Sequence, residues 1–186
     1  MSKNIRQNHA KILRTVRKLH RTTGVLLFVF FFIIAITGLL LGWKKHSGGI
    51  LLSDTRNGSS TDFHNWLSLD SLHKNAIGYL RDSVSADLSA SLDRVDVRKD
   101  KGTVKFVFEK HFTGLQLDGS TGELLLVEKR RSDYIEKLHD GSILDFYFQT
   151  GNGLIKLIYT TIMGLALLLF TITGFWLWYG PRRMRR

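Results

Sequence analysis

Two uncharged apolar runs, Gly24–Trp43 and Leu157–Tyr179, limit what this chain can fold into. Crossing a hydrocarbon core of about 30 Å takes about 20 apolar residues of helix. Both runs meet that length, and neither contains Asp, Glu, Lys, Arg or His. The expectation is two membrane-spanning helices. The first run comes after a long basic stretch and leads into Lys44-Lys45-His46 rather than a small-residue cleavage pattern. It is therefore expected to stay in place as an uncleaved signal anchor.

Charge gives the expected orientation. All 16 acidic residues lie between the two runs, where an equal number of Lys and Arg balances them, so the net charge of +11 resides in the terminal segments. Residues 1–23 carry Lys3, Arg6, Lys11, Arg14, Arg17, Lys18 and Arg21 without one acid, and Arg182, Arg183, Arg185 and Arg186 end the chain the same way. By the positive-inside rule both termini are cytoplasmic and the middle is outside. Basic flanks of membrane spans answer to topology and to anionic lipid, which removes the case for nucleic acid as a partner. There is no cysteine, which excludes disulfides, iron–sulfur clusters and c-type haem attachment.

The middle of the chain changes period as it goes. Residues 46–62 are rich in Gly, Ser and Asp and read as a flexible exit from the first span. Trp66, Leu69, Leu72, Ala76, Ile77 and Leu80 then recur at helical spacing. After them the period becomes two: Val95 and Val97, then Val104, Phe106 and Phe108, then Leu115 and Leu117, then Leu124 and Leu126 alternate with polar residues. Lys101-Gly102 and Asp118-Gly119-Ser120-Thr121-Gly122 supply turn chemistry between these runs. One helix on an antiparallel three- or four-stranded meander is the economical arrangement. Tyr134–Phe148 reads as an amphipathic stretch whose Phe146, Tyr147 and Phe148 suit a membrane interface. The expected organisation is a basic tail (1–23), a first span (24–43), an extracytoplasmic α+β domain with a linker helix (44–153), a second span (154–180) and a basic tail (181–186).

Certain fragments resemble a known family. Gln116-Leu117-Asp118-Gly119-Ser120-Thr121-Gly122-Glu123-Leu124-Leu125 is similar to the strand–turn–strand ending of a PepSY domain. Leu19-His20-Arg21-Thr22-Thr23-Gly24 and Ile36-Thr37-Gly38 resemble the first helix of the PepSY-associated transmembrane family. Leu138-His139-Asp140-Gly141 and Ile172-Thr173-Gly174-Phe175-Trp176-Leu177-Trp178 resemble its later helix. The resemblance runs from about Arg17 to Arg183. It implies an α-helical membrane protein in which two transmembrane helices flank a small extracytoplasmic PepSY-like domain. Relatives commonly have four or more spans and include inner-membrane reductases of ferric siderophores that hold b-type haem through histidines at helix ends; this chain is a short, two-span form.

The residues can be weighed for haem b on their own chemistry, which needs axial imidazoles and an apolar slot. His20 has Gly24 one turn further along the same helix face, where a porphyrin edge has room to approach the backbone. Arg17 and Arg21 stand beside it as partners for propionates. The plainer alternative is that His20 is one more polar residue of a basic flank. His139 is the second axial candidate, against a surface histidine on a linker helix, and His46, at the outer end of the first span, is the residue to pair with it. His20 and His46 lie about 39 Å apart along a continuous helix and do not share an iron. His64, His73 and His111 have no ligand spacing. The two Ile-Thr-Gly triplets are small-residue notches of the kind that bring helices together in lipid, with room for a ring as the other reading.

The function expected is a haem-b electron-transfer protein of the bacterial inner membrane, reducing or helping to reduce ferric siderophores outside it. With so few helices to enclose a macrocycle, a homodimer or a hetero-complex with another membrane subunit is expected. The alternative is a non-enzymatic, membrane-anchored PepSY module that binds or regulates a partner such as a protease or transporter.

Overall fold

The computed structural model describes Lys3–Arg185, with side chains from Gln7 to Arg182. Met1, Ser2 and Arg186, the outermost residues of the two expected basic tails, lie outside the described residues. The chain divides into two compact units, one formed by the chain up to Leu39 together with the chain from Glu136 onward, the other by Leu40–Ile135.

The first unit is helical. Helix α1 (Lys3–Trp43) and helix α5 (Leu154–Arg185) are both long and apolar enough to cross a membrane. Helix α1 has 41 residues, about 61 Å at a rise of 1.5 Å per residue, twice the hydrocarbon thickness. The expected boundary at residue 24 is thus one of composition only, because the basic segment continues the same helix. The two helices run antiparallel: Leu13 packs on Gly180, Gly24 on Phe170, and Phe30 stands edge-on to Tyr159. Val25, Leu26, Phe28, Leu165, Leu168 and Ile172 stay exposed, as apolar side chains do when lipid is their solvent.

The expected single amphipathic stretch from Tyr134 to Phe148 is two short helices, α3 (Arg131–His139) and α4 (Ser142–Phe148). Asp140 and Gly141 break it. The Asp140 carboxylate accepts from the Ser142 backbone N–H (2.9 Å) and hydroxyl (2.7 Å), which starts α4. Gly141 adopts φ +78°, and a Cβ there would lie 2.5 Å from the Tyr159 ring. No other residue meets both demands. Helix α5 begins where Asp145 accepts from the Lys156 backbone N–H (2.7 Å) and Asn152 accepts from that of Leu154 (3.2 Å), covering first-turn donors that the helix itself leaves unpaired.

The second unit is the expected helix on a meander. Strands β1 (Leu92–Arg98), β2 (Thr103–Phe108), β3 (Thr113–Asp118) and β4 (Leu124–Lys129) form one antiparallel sheet in chain order. Helix α2 (Leu69–Ser83) buries Leu72, Ala76 and Leu80 against Val104, Phe106, Phe108, Leu115 and Leu117, the alternate residues of the two central strands. The periodicity predicted this face.

The opposite face departs from the expectation. Residues 46–62, expected as a flexible exit, form an ordered strap across it in their second half. Gln116 accepts from the Arg56 N–H (2.9 Å) and donates to the Asp54 carbonyl (3.0 Å), and Thr103 donates to the Arg56 carbonyl (2.7 Å). Asp118 accepts from the Ser59 N–H (2.7 Å). Beneath the strap lies a buried polar layer in which Glu128 meets Arg130 (2.8 Å), Gln116 (2.8 Å) and Lys105 (3.7 Å). Burial pushes the Lys105 ammonium below its usual value while Glu128 pulls it back up. Such a layer is fully paired only with the strap in place, and an unpaired buried polar group is costly. The residues of a loop-like composition therefore order because the sheet needs their backbone groups.

Candidate functional site

The two histidines singled out by sequence sit at two stations of the first unit, built the same way. At the first, the His20 Nδ1 lies 2.9 Å from the Thr173 hydroxyl, and a Cβ on Gly174 would stand 3.4 Å from the His20 Cε1. At the second, the His139 Nδ1 lies 2.8 Å from the Thr37 hydroxyl, and a Cβ on Gly38 would stand 3.4 Å from the His139 Cε1. Each imidazole thus lies edge-on in the Thr-Gly notch of an Ile-Thr-Gly triplet. The pairing is crossed: the histidine from the N-terminal half takes the triplet of the C-terminal half, and the reverse. Thr173 and Thr37 are 5% and 4% exposed, so water does not compete for their hydroxyls.

Local structure explains the crossing. In α1 the residue numbers of facing positions on α5 fall as those on α1 rise, and Leu13 opposite Gly180 fixes the register that puts His20 opposite Thr173. At the other end the chain turns back through α3 and α4. Asp140 pairs with Lys156 at 2.6 Å, and Gly141 lies on Tyr159. These two contacts with the first turns of α5 hold the end of α3 so that His139 reaches Thr37. Burial raises the Asp140 carboxyl, but hydrogen bonds from Lys156 and Ser142 outweigh it and hold the group below its usual range. The His-Asp-Gly sequence therefore divides into a presented imidazole, a cap with an ion pair, and a turn.

The first station has a different support. Phe170 stacks on the His20 ring, centroids 3.9 Å apart at 21° between planes, and Phe31 meets the Phe170 ring edge-to-face at 5.7 Å. Gly24 is what lets Phe170 in, since a Cβ there would come within 3.0 Å of its ring. The space one turn beyond His20, at Gly24, receives Phe170 of α5. The notches Thr37-Gly38 and Thr173-Gly174 receive His139 and His20 from within the chain.

The remaining candidates are more loosely placed. Arg17 and Arg21 are exposed and have no ion-pair partner among the described residues. His46 belongs to the second unit, exposed and edge-on to Trp43 at 6.4 Å. His20 and His139 do not share a site. From residue 20 to residue 37 of α1 the helical rise amounts to about 25 Å, so the stations lie near opposite ends of the two-helix unit.

Sequence reasoning missed Thr37, Thr173 and Phe170 as parts of the stations. A signal for the threonines was present in the recurrence of Lys-Leu-His at 18–20 and 137–139 and of Ile-Thr-Gly at 36–38 and 172–174. Two motifs each occurring twice admit direct or crossed pairing, and only the helix register decides. Nothing in the sequence marks Phe170 among its apolar neighbours.

The family model for the PepSY-associated TM region matches residues 3–180. The chain belongs to that family. Among curated proteins none matches the sequence. Family membership and the two spanning-length helices make this a membrane protein with a PepSY-type α+β unit between its transmembrane helices in the sequence.

Proposed function

We propose, taking the family as the premise, that this protein transfers electrons through haem b bound at the two histidine stations. The observation that carries the reading is the crossed seating of His20 on Thr173-Gly174 and of His139 on Thr37-Gly38. A metal ion held by side chains alone needs several donors converging, and no group of three His, Cys, Asp or Glu of that kind occurs among the described residues. An iron already held by four pyrrole nitrogens needs only axial imidazoles. Single histidines, each fixed by one ring nitrogen on an apolar helix pair, suit that requirement.

Bound haem supplies one-electron chemistry. The residues that would hold it are His20 and His139 through their imidazoles, with Arg17 and Arg21 beside His20 for the propionates. Each station contributes one imidazole, so a second subunit, in a homodimer or a hetero-complex, would supply the other. The basic termini support an orientation with the His20 end in the cytoplasm and the PepSY unit outside, in this reading across the inner membrane of a bacterium. Ferric siderophores on that outer side are the acceptor. Hard oxygen donors hold Fe(III) far better than Fe(II), so reduction releases the metal.

The test is a visible spectrum of the detergent-purified protein from haem-replete cells, before and after dithionite. The expected result is a Soret band with the sharp reduced α-band of low-spin b haem, diminished in His20→Ala and in His139→Ala. A colourless, folded wild type would turn the reading to a membrane-anchored module that serves a partner protein. Orientation is tested separately by a reporter active only in the cytoplasm. It should work when fused after Arg186 and fail when inserted at the exposed Asp87.

A further inference from the structure

Each threonine hydroxyl at the stations has more oxygen and nitrogen neighbours than it has protons. The Thr37 Oγ1 lies 2.6 Å from the Ile33 carbonyl and 3.2 Å from that of Ile34, besides its 2.8 Å contact with the His139 Nδ1. The Thr173 Oγ1 lies 2.7 Å from the Leu169 carbonyl and 3.0 Å from that of Phe170, besides its 2.9 Å contact with the His20 Nδ1. A hydroxyl owns a single hydrogen and two lone pairs. Two oxygens 2.6–2.7 Å apart repel unless that hydrogen lies between them. In both stations the hydrogen is therefore committed to the backbone carbonyl four residues earlier, and what faces the imidazole is a lone pair.

We infer that Thr37 and Thr173 are positioning residues that set the tautomer of His139 and His20: each accepts a hydrogen bond from Nδ1–H and so leaves Nε2 as the unprotonated, ligating nitrogen. A neutral imidazole has one N–H, and the nitrogen that carries it is set by the partner of that nitrogen. Were Nδ1 the unprotonated one, its lone pair would face the lone pair of the threonine with no water able to intervene. At the adjacent glycine, a Cβ on Gly38 or Gly174 would stand 3.4 Å from Cε1, the carbon between the two ring nitrogens, so the helix backbone lies close against each ring. The backbone carbonyl thus acts on the imidazole through the hydroxyl, a relay from Ile33 to His139 and from Leu169 to His20. It raises the electron density at Nε2, as acceptors behind metal-bound histidines do elsewhere.

The inference rests on the reading of the two histidines as haem ligands for its purpose, but not for its test. The full-length protein, labelled with ¹⁵N-histidine, is purified in detergent from cells unable to make haem, and ring nitrogen shifts are measured at a pH where the imidazoles are neutral. His20→Gln and His139→Gln assign the signals. The expected wild-type result is the Nδ1–H form at both histidines. Thr37→Val should release His139 to the commoner Nε2–H form and leave His20 unchanged; Thr173→Val should do the converse; Thr37→Ser and Thr173→Ser should behave as wild type. Nε2–H forms in the wild type, or valine variants with unchanged tautomers, would overturn the inference. If the valine variants do not fold, the wild-type and serine spectra still decide it. Haem titrated into the same samples separates the two readings. Affinity at the affected station should fall about 10- to 100-fold in each valine variant, and the potential of the haem that still binds there should rise. Nδ1–H tautomers in a protein that takes up no haem would uphold the threonine assignment and end the haem reading.

Discussion

The two stations present the same imidazole on the same Thr-Gly notch, yet they are supported in opposite ways. His20 lies in the middle of an unbroken helix and is fixed by stacking on Phe170. His139 is the last residue of a nine-residue helix and is fixed by its two successors in the chain, through the Asp140–Lys156 ion pair and the Gly141 turn against Tyr159. The first is held by dispersion between helices, with no carboxylate side chain anywhere in α1 or α5. The second is held by charge and by backbone conformation at a chain reversal. The same seating of the imidazole therefore comes with different vulnerabilities, which can be separated by experiment.

The largest asymmetry is expected from Gly141→Ala. It sets a Cβ against Tyr159 in a positive-φ conformation, at about 3 kcal/mol of strain and overpacking. Tautomer and ligand signals of His139 should be lost while those of His20 persist; loss of both together would mean that the stations are one cooperative structure. Phe170→Ala acts in the other direction. It empties the space between Gly24 and His20 at a cost of about 2 kcal/mol, below the value for a fully buried ring because Phe170 is half-buried. Disorder confined to His20 by NMR would bear this out, and an unchanged His20 would assign the stacking no role.

Acid distinguishes the stations more gently. The Asp140 carboxyl is held below the ordinary 3.8 in the folded protein, so its contribution is complete above that value and disappears as pH falls through the lower, folded one. The His139 station should loosen in that window by about 1 kcal/mol, the size of a lost cap with a partly exposed ion pair. Helix α1 next to α5 should not respond, and Asp140→Asn should abolish the difference. Resonances at both stations followed as the pH is lowered from above 3.8 until the folded carboxylate protonates measure it. The smallest effect is expected from Arg17→Gln with Arg21→Gln. These exposed side chains should change thermal stability by less than about 0.5 kcal/mol, and a large loss in the haem-free protein would show contacts that the fold does not assign to them.

How far the sequence could be read depends on the range of the forces involved. The spans, the α2 face and the four strands are written in periodicities of a few residues, and the turns at Lys101-Gly102 and Asp118–Gly122 in local chemistry, with Gly102 at φ +69° and Gly122 at φ +72°. His20 and His139 were legible as candidates through motif and family. Their partners were not, because Thr173 and Thr37 lie more than a hundred residues away, and the crossed pairing depends on an antiparallel register that no local pattern encodes. The strap was missed for a related reason. Its Gly- and Ser-rich composition is that of a flexible segment, and its order comes from Gln116, Asp118 and Thr103 on strands still to come in the chain. The break at Gly141 was open to reading, since Asp-Gly is a turn dipeptide, but the helical period across Tyr134–Phe148 masked it.

The crossed pairing also sets a timetable for biogenesis. A nascent chain that has inserted only α1 carries the His20 imidazole and the Thr37 hydroxyl, but these two are not partners. The His20 station does not exist until the last helix has entered the bilayer and docked, because Thr173 lies in the second half of α5, which runs to Arg185; the His139 station has both its partners earlier in the chain and needs α5 only for the support of Lys156 and Tyr159. Until then the His20 imidazole has no threonine partner to set its tautomer. Completion of the His20 station is thus a late event that reports the docking of α5, and a product truncated before α5 lacks Thr173 and with it that station.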